Sequence, residues 1–356
     1  MSDPTNFFAC IMAGGSGERF WPMSRAQTPK HLLKLLSERT LVEETVRRLG
    51  GAVPPENIFV LTNAVQLAAT RAALAGLVPE AQIVAEPAKR DTAPAAALAT
   101  ALVRARGGDN ATLALLPADA FIADAATCAH QLAGALARAS EAGSILTIAI
   151  KPDHAATGFG YLEMGETRVT GPAGLVREVK RFVEKPDAAT AERYVASGDF
   201  AWNAGMFFWR VGTFLAEAER NAPELAQFVR GFPTGDFAAF LAERFPALPK
   251  ISVDYAIMEK ARSVETLLAQ FDWDDVGLWT ALPKHLKRDA AGNASRGAVV
   301  VANANNNIAI SNGRTIALCG VQDLVVVETA DAILVCHRDA VQDIKTIVQQ
   351  LPKELL

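Results

Sequence analysis

Two regimes of hydrophobic patterning divide the chain. Up to about residue 150, short continuous apolar runs alternate with amphipathic or alanine-rich stretches. The runs predict strands at 7–12, 57–62, 82–85, 112–116 and 144–150, and the stretches between them predict helices near 41–49, 63–74, 92–106 and 128–142. A run such as Leu113-Ala114-Leu115-Leu116 has no polar face, which implies an α/β fold with a parallel sheet covered on both sides. Ligands of such sheets sit at the carboxyl ends of the strands, so the residues following each run are the ones to inspect.

From 151 to 285 alternation fades and aromatics increase; one strand stands out at 175–184. No low-complexity linker interrupts the first 285 residues, and the turn-forming stretch Asp289-Ala290-Ala291-Gly292-Asn293 reads as a boundary. The expected domains are therefore 1–288 and 289–356. In the second, β-like runs at 298–302, 308–310, 315–319, 324–327 and 332–336 recur between Asn, Gly and Asp turns, followed by a helix at about 340–351. This spacing suggests a small β-solenoid or sandwich whose edges need covering, hence an oligomer contact.

Composition narrows the possibilities. The chain has 356 residues, half of them hydrophobic, and a net charge of −4. No basic tract of the nucleic-acid type appears, the first residues show no cationic region ahead of an apolar core, and no apolar run approaches the roughly 18 residues of a membrane span. A cytoplasmic protein binding neither nucleic acid nor membrane is expected. Cys10, Cys128, Cys319 and Cys336 lack metal or redox spacing and read as buried thiols.

The first strand runs into Gly14-Gly15-Ser16-Gly17-Glu18-Arg19-Phe20-Trp21-Pro22, then Arg25, Pro29-Lys30 and Lys34, with no acidic residue from Arg19 to Ser37. Glycines let main-chain N–H groups form a concavity for phosphate oxygens, and the cations reinforce it. The P-loop pattern is absent. Phe20 occupies the place of a third dinucleotide-fold glycine, and no acid ends the second strand, which disfavours a nicotinamide or flavin.

Other strand ends carry Glu86 to Pro94 (a ligand loop or a plain helix start) and Pro117-Ala118-Asp119 (turn chemistry or a metal ligand). Glu184-Lys185 is either two exposed charges or a sugar-and-phosphate pair. Carboxylates recur at Asp272, Asp274 and Asp275, and all five tryptophans lie in these same few segments, as a pocket wall would require. Mg²⁺ takes one or two carboxylates plus phosphate oxygens, which Asp119 and Asp275 could supply. A sugar phosphate acceptor is already largely ionised near neutral pH, its second pKa being about 6, so no general base is needed. This agrees with the absence of a Ser-His-Asp or Cys-His signature. Transfer at phosphorus would rest on positioning and charge neutralisation by Arg19, Lys30, Lys185 and the metal.

These segments, with Trp202 to Phe207, Ser252 to Glu259 and Trp273 to Trp279, closely resemble in order the motifs of the sugar nucleotidyltransferases, in particular those acting on mannose 1-phosphate. The resemblance spans nearly the whole chain. It implies a Rossmann-like nucleotidyltransferase domain with a mostly parallel sheet and a small β-helix-like C-terminal domain. GTP and α-D-mannose 1-phosphate would give GDP-mannose and diphosphate, with Mg²⁺ or Mn²⁺ as cofactor, in a homodimer. By motif, Ala13, Gly14, Gly15, Gly17, Arg19, Lys30, Arg90, Thr92, Pro117 and Asp119 would bind nucleotide. Gly160, Tyr161, Glu184, Lys185, Asn203 and Gly205 would bind the sugar phosphate, and Asp119 and Asp275 the metal. Arg19, Lys30, Asp119, Lys185 and Asp275 would be catalytic. Departures occur at His31-Leu32, Ala120, Ala204 and Leu278, where the family usually has Gln-Phe, His, Ser and Ser; these bear on base and sugar preference. The alternatives are a glucose- or heptose-type substrate, a non-catalytic regulator binding nucleotide sugar, and a structural domain.

Overall fold

In the computed structural model, residues 6–356 are described. The first half alternates as its pattern predicts: β1 (Phe7–Met12), α1 (Leu41–Arg47), β2 (Ile58–Asn63), α2 (Leu67–Ala73), β3 (Ile83–Glu86), α3 (Thr92–Gly107), β4 (Thr112–Pro117), α4 (Ala125–Glu141) and β5 (Ile145–Ile150). Then follow β6 (Gly160–Gly171), β7 (Gly174–Glu184), α5 (Ala188–Ser197), β8 (Phe200–Arg210), α6 (Val211–Asn221), α7 (Pro223–Gly231), α8 (Ala238–Arg244) and β9 (Val264–Leu268). Of these later elements, only β7 has a clear sequence signal. The others were obscured because β6 and β8 are long strands whose faces change burial along their length.

The strands form one sheet in the order β3-β2-β1-β4-β8-β5-β9-β7-β6. All run the same way except β7 and β8, so the sheet is mostly parallel in direction. Because β8 also pairs with β6, strands β5, β8, β6, β7 and β9 close into a circuit. Helix α3, buried from Ala93 to Val103, shares an apolar cluster with Phe8, Cys10 and Phe59 of the sheet and Phe214, Leu225 and Val229 of α6 and α7. Its alanines let backbone approach closely on all sides, so burial rather than amphipathicity holds it.

The C-terminal part comprises β10 (Ala294–Arg296), β11 (Val299–Ala302), β12 (Ile308–Ile310), β13 (Ile316–Cys319), β14 (Leu324–Glu328), β15 (Ile333–His337) and α9 (Ile344–Val348). Parallel pairing of β10 with β12, β12 with β14, and β11 with β13 makes it a solenoid. Buried Asn293 and Asn307 join successive coils: Asn293 Oδ1 accepts from Asn307 N and Nδ2, both at 2.9 Å, and Asn307 Oδ1 accepts from Leu324 N at 2.9 Å. The expected final helix is shorter, a 3-10 turn at Arg338–Asp343 preceding α9. Cys319 is exposed, against expectation, because it alternates outward along β13; all four thiols are free.

The solenoid and the large domain share a core. Phe20, Trp21, Leu33, Leu35 and Trp279 cluster with Ile308, Ile310, Val325, Val327, Leu334 and Ile344. The glycine loop is thus backed by the C-terminal strands. Trp209 and Trp279, expected in a pocket wall, are 0% exposed and fill core. No helix among the described residues is long and apolar enough to cross a membrane.

Candidate active site

The glycine loop leaves β1 beside the end of β4, where Met12 is opposite Pro117 and Ala118 N donates to Met12 O at 3.1 Å. Gly15 O accepts from the buried Gln66 amide at 3.3 Å. At Gly17 the backbone is left-handed (φ 62°), and a side chain there would stand 2.6 Å from both N and Cβ of Lys30. Glycine is therefore required twice over, by conformation and by contact. This contact presses the loop against the 3-10 turn Lys30–Leu32 and keeps Lys30 only 8% exposed.

Lys30 ties three segments together. Its Nζ donates to Asp119 Oδ2 at 2.8 Å and to the main-chain carbonyl of Asp275. The Asp119 and Asp275 loops are joined again by the Phe121–Asp274 bridge, whose two backbone bonds measure 2.8 and 3.0 Å. After Asp275 the chain adopts an unusual conformation at Val276 (φ 43°), where a β-branched residue is strained. It is held by Asp274 Oδ1, which accepts from Val276 N at 2.7 Å, and by complete burial of the valine side chain. Burial raises the Asp275 carboxyl above its ordinary range; Lys30 opposes this, while Asp274 and Asp119 reinforce it.

Two adjoining cavities share Gly17, Lys30, Lys89 and Asp119. One, of about 420 Å³, adds Gly14, Gly15, Glu86, Arg90, Thr92 and Pro117, among others. The other, of about 490 Å³, adds Arg19, Asp275, Gly277 and Lys345. Most residues expected to meet nucleotide therefore do converge. Ala13, by contrast, is 1% exposed and lines neither cavity. The paired acids offer only oxygen donors beside a cation-lined cavity, and two carboxylates completed by phosphate oxygens suit Mg²⁺ or Mn²⁺.

The sugar-side residues form a separate group lining neither cavity. Gly160 faces Glu184 across β6 and β7, and a side chain on Gly160 would stand 2.5 Å from Glu184 Oε2. Lys185, itself left-handed (φ 48°), donates to Glu184 Oε1. Burial alone would lower the Lys185 ammonium, but pairing with Glu184 outweighs it and the net shift is upward. Asn203 Oδ1 accepts from Thr147 Oγ1 at 2.8 Å and from Gly205 N at 3.2 Å, which orients the carboxamide. Tyr161 does not qualify as a side-chain sugar contact: it is 0% exposed, and its hydroxyl donates to Ala156 O at 2.9 Å.

Three charged residues were given no role of their own in the sequence reading, although Glu86 and Asp254 lie in segments it singled out. Glu86 ends β3 inside the first cavity; its carboxylate has no hydrogen bond or ion pair among the described residues and is pushed up to about 7 by burial. Its signal was available, an acid at the carboxyl end of a parallel strand. Asp254 opens a π-helical turn (Asp254–Met258) and is raised to about 7, first by burial and then by Glu184. Its segment is tied to the nucleotide side, since Thr92 Oγ1 accepts from Val253 N at 2.9 Å. The third is Lys345, on α9.

With this geometry in hand, comparison with known proteins is decisive. The family described as Nucleotidyl transferase matches residues 8–291. The chain belongs to the nucleotidyl transferase family. The MannoseP isomerase/GMP-like beta-helix domain matches residues 297–351 of this nucleotidyl transferase, in agreement with the solenoid. It is 37% identical over 354 residues to the mannose-1-phosphate guanylyltransferase ManC of Salmonella typhimurium, spanning 98% of this chain and 73% of that protein. It is 36% identical, again over 354 residues, to the mannose-1-phosphate guanylyltransferase of Escherichia coli strain K12, spanning 98% and 74%. A crystal structure of mannose-1-phosphate geranyltransferase from Thermus thermophilus superposes with a TM-score of 0.88 at 32% identity, covering 97% of this chain and 99% of that one. These relatives support sugar nucleotidyl transfer as the chemistry of this nucleotidyl transferase.

Proposed function

We propose that the protein transfers GMP from GTP to α-D-mannose 1-phosphate, giving GDP-mannose and diphosphate. The observation carrying this reading is Glu86, an unpartnered, half-buried carboxylate in the first cavity. Among the common bases, guanine offers two adjacent donors, N1–H and N2–H, that a carboxylate can accept as a bidentate pair. The names of the relatives supply the sugar half of the proposal.

In the reaction, a phosphate oxygen of the sugar phosphate forms a bond to the nucleotide α-phosphorus. The bond from that phosphorus to the oxygen bridging to the β-phosphate breaks, and its electron pair leaves with diphosphate. Lys185 neutralises the acceptor phosphate, while Glu184 and Asn203 hold the sugar hydroxyls. Arg19 and Lys30 hold the nucleotide phosphates, with the glycine-loop N–H groups between them. The acceptor arrives ionised, so no residue must remove a proton. Asp119 and Asp275 would hold Mg²⁺ or Mn²⁺, which supplies charge neutralisation at the phosphates. Two copies would pair through the C-terminal strands, which expose Val300, Ile333 and Val335.

The test is diphosphate release with GTP, ATP, UTP and dTTP crossed with mannose 1-phosphate and glucose 1-phosphate, with and without EDTA. Release confined to GTP with mannose 1-phosphate, and abolished by EDTA, is expected. Release with a different pair would move the substrate, and none with any pair would overturn the reaction.

A further inference from the structure

The C-terminal solenoid contributes more than support to the site. Ile344, the first residue of α9, is 0% exposed and sits in the cluster containing Phe20 and Trp21, which seats the helix on the loop turn Glu18–Phe20. The next residue, Lys345, lines the second cavity with Arg19, Lys30, Asp119, Asp275 and Gly277. The Lys345 ammonium makes no hydrogen bond or ion pair among the described residues; its main-chain carbonyl accepts from Gln349 N at 3.3 Å. In the same cavity the buried Nε of Arg19 also has no partner. Lys30, by contrast, already donates to the Asp119 carboxylate and the Asp275 main-chain carbonyl. Lys89, which lines the cavity too, likewise has no acceptor among the described residues, so three cationic groups stand free there beside the carboxylates Glu18, Asp119 and Asp275. Such a cavity is suited to a multiply charged oxyanion.

Relative to the first cavity, which holds Glu86 and the glycine loop, this one lies beyond Gly17, Lys30 and Asp119. A nucleotide with its base at Glu86 and its α-phosphate near Lys30 would project its outer phosphates here. We propose that Lys345 binds the β- and γ-phosphates of the nucleotide and the diphosphate they become, so that the C-terminal domain supplies a substrate-binding residue. This rests on the nucleotidyl transfer reading above. Lys345 reaches the leaving group and not the sugar, so its effect should be confined to one substrate.

Comparison of wild type, Lys345→Ala and Lys345→Arg tests this in the full-length protein. A charge-assisted contact to phosphate, partly screened by exposure, predicts that Lys345→Ala raises KM for GTP and the inhibition constant of diphosphate by about three- to tenfold. KM for mannose 1-phosphate and the melting temperature should stay unchanged, and Lys345→Arg should recover most of the loss. Equal rises in both KM values with a lowered melting temperature would mean a packing role and overturn the proposal, as would unchanged diphosphate inhibition. Calorimetric titration of inorganic diphosphate into wild type and Lys345→Ala, with the metal present, reads the same contact without turnover. If wild type released no diphosphate from any substrate pair, the reaction would fall, and weaker diphosphate binding by Lys345→Ala would still uphold the site.

Discussion

Phe121 and Asp274, 153 positions apart, exchange two main-chain hydrogen bonds of 2.8 and 3.0 Å. This small antiparallel bridge brings Asp119, just past β4, to the loop carrying Asp275, and Lys30 Nζ then bonds to both segments. The active-site charges are therefore held by backbone, and side-chain changes should alter chemistry more than architecture.

Lys30→Met should lower kcat by a hundredfold or more, about 3 kcal/mol of transition-state stabilisation, because Lys30 is the cation whose ammonium bonds both the Asp119 carboxylate and the Asp275 main chain. Circular dichroism should show the fold retained. Turnover within tenfold of wild type would remove Lys30 from the chemistry.

Gly17→Ala tests the loop geometry. A side chain there must adopt φ near 62° and displace Lys30 backbone now 2.6 Å from the added carbon. Loss of at least about 1 kcal/mol in denaturant unfolding is expected, together with a higher KM for GTP. Gly15→Ala, where nothing lies within 4 Å, should be far milder in stability.

Glu86→Gln probes base selection. Inosine triphosphate lacks the guanine N2 amine, so wild type should prefer GTP over it in kcat/KM by about tenfold or more. The glutamine, with a single acceptor oxygen, should narrow that preference. An unchanged ratio would place the base elsewhere.

The same carboxyl predicts a pH effect of definite sign. Its folded pKa of about 7 lies above the ordinary value of 4.5, so the native state binds the extra proton. Its contribution to stability is then fully present below about pH 4.5 and is lost as pH rises through 7. Unfolding free energies of wild type minus Glu86→Gln should decline over that window. Taking the difference cancels His31, which burial lowers to about 4 and which acts in the opposite sense. Affinity for GTP should meanwhile improve as pH rises through 7, because the ionised carboxylate accepts more strongly.

What the sequence determined by itself is the alternating framework from β1 to β5 and the chemistry at its strand ends, since continuous apolar runs and glycine-cation loops are local signals. The order of motifs also determined the family, later matched over residues 8–291. Tertiary structure decided the rest. The bridge to residue 274 sets Asp119 beside the loop of Asp275, and a hydrogen bond to Ala156 O occupies the buried Tyr161 hydroxyl. The fold also places the unpaired Glu86 carboxylate inside the first cavity, and a distant core cluster seats α9, with Lys345, on the glycine loop. Such roles follow from contacts between remote segments, and a pattern read along one strand of sequence carries no record of them.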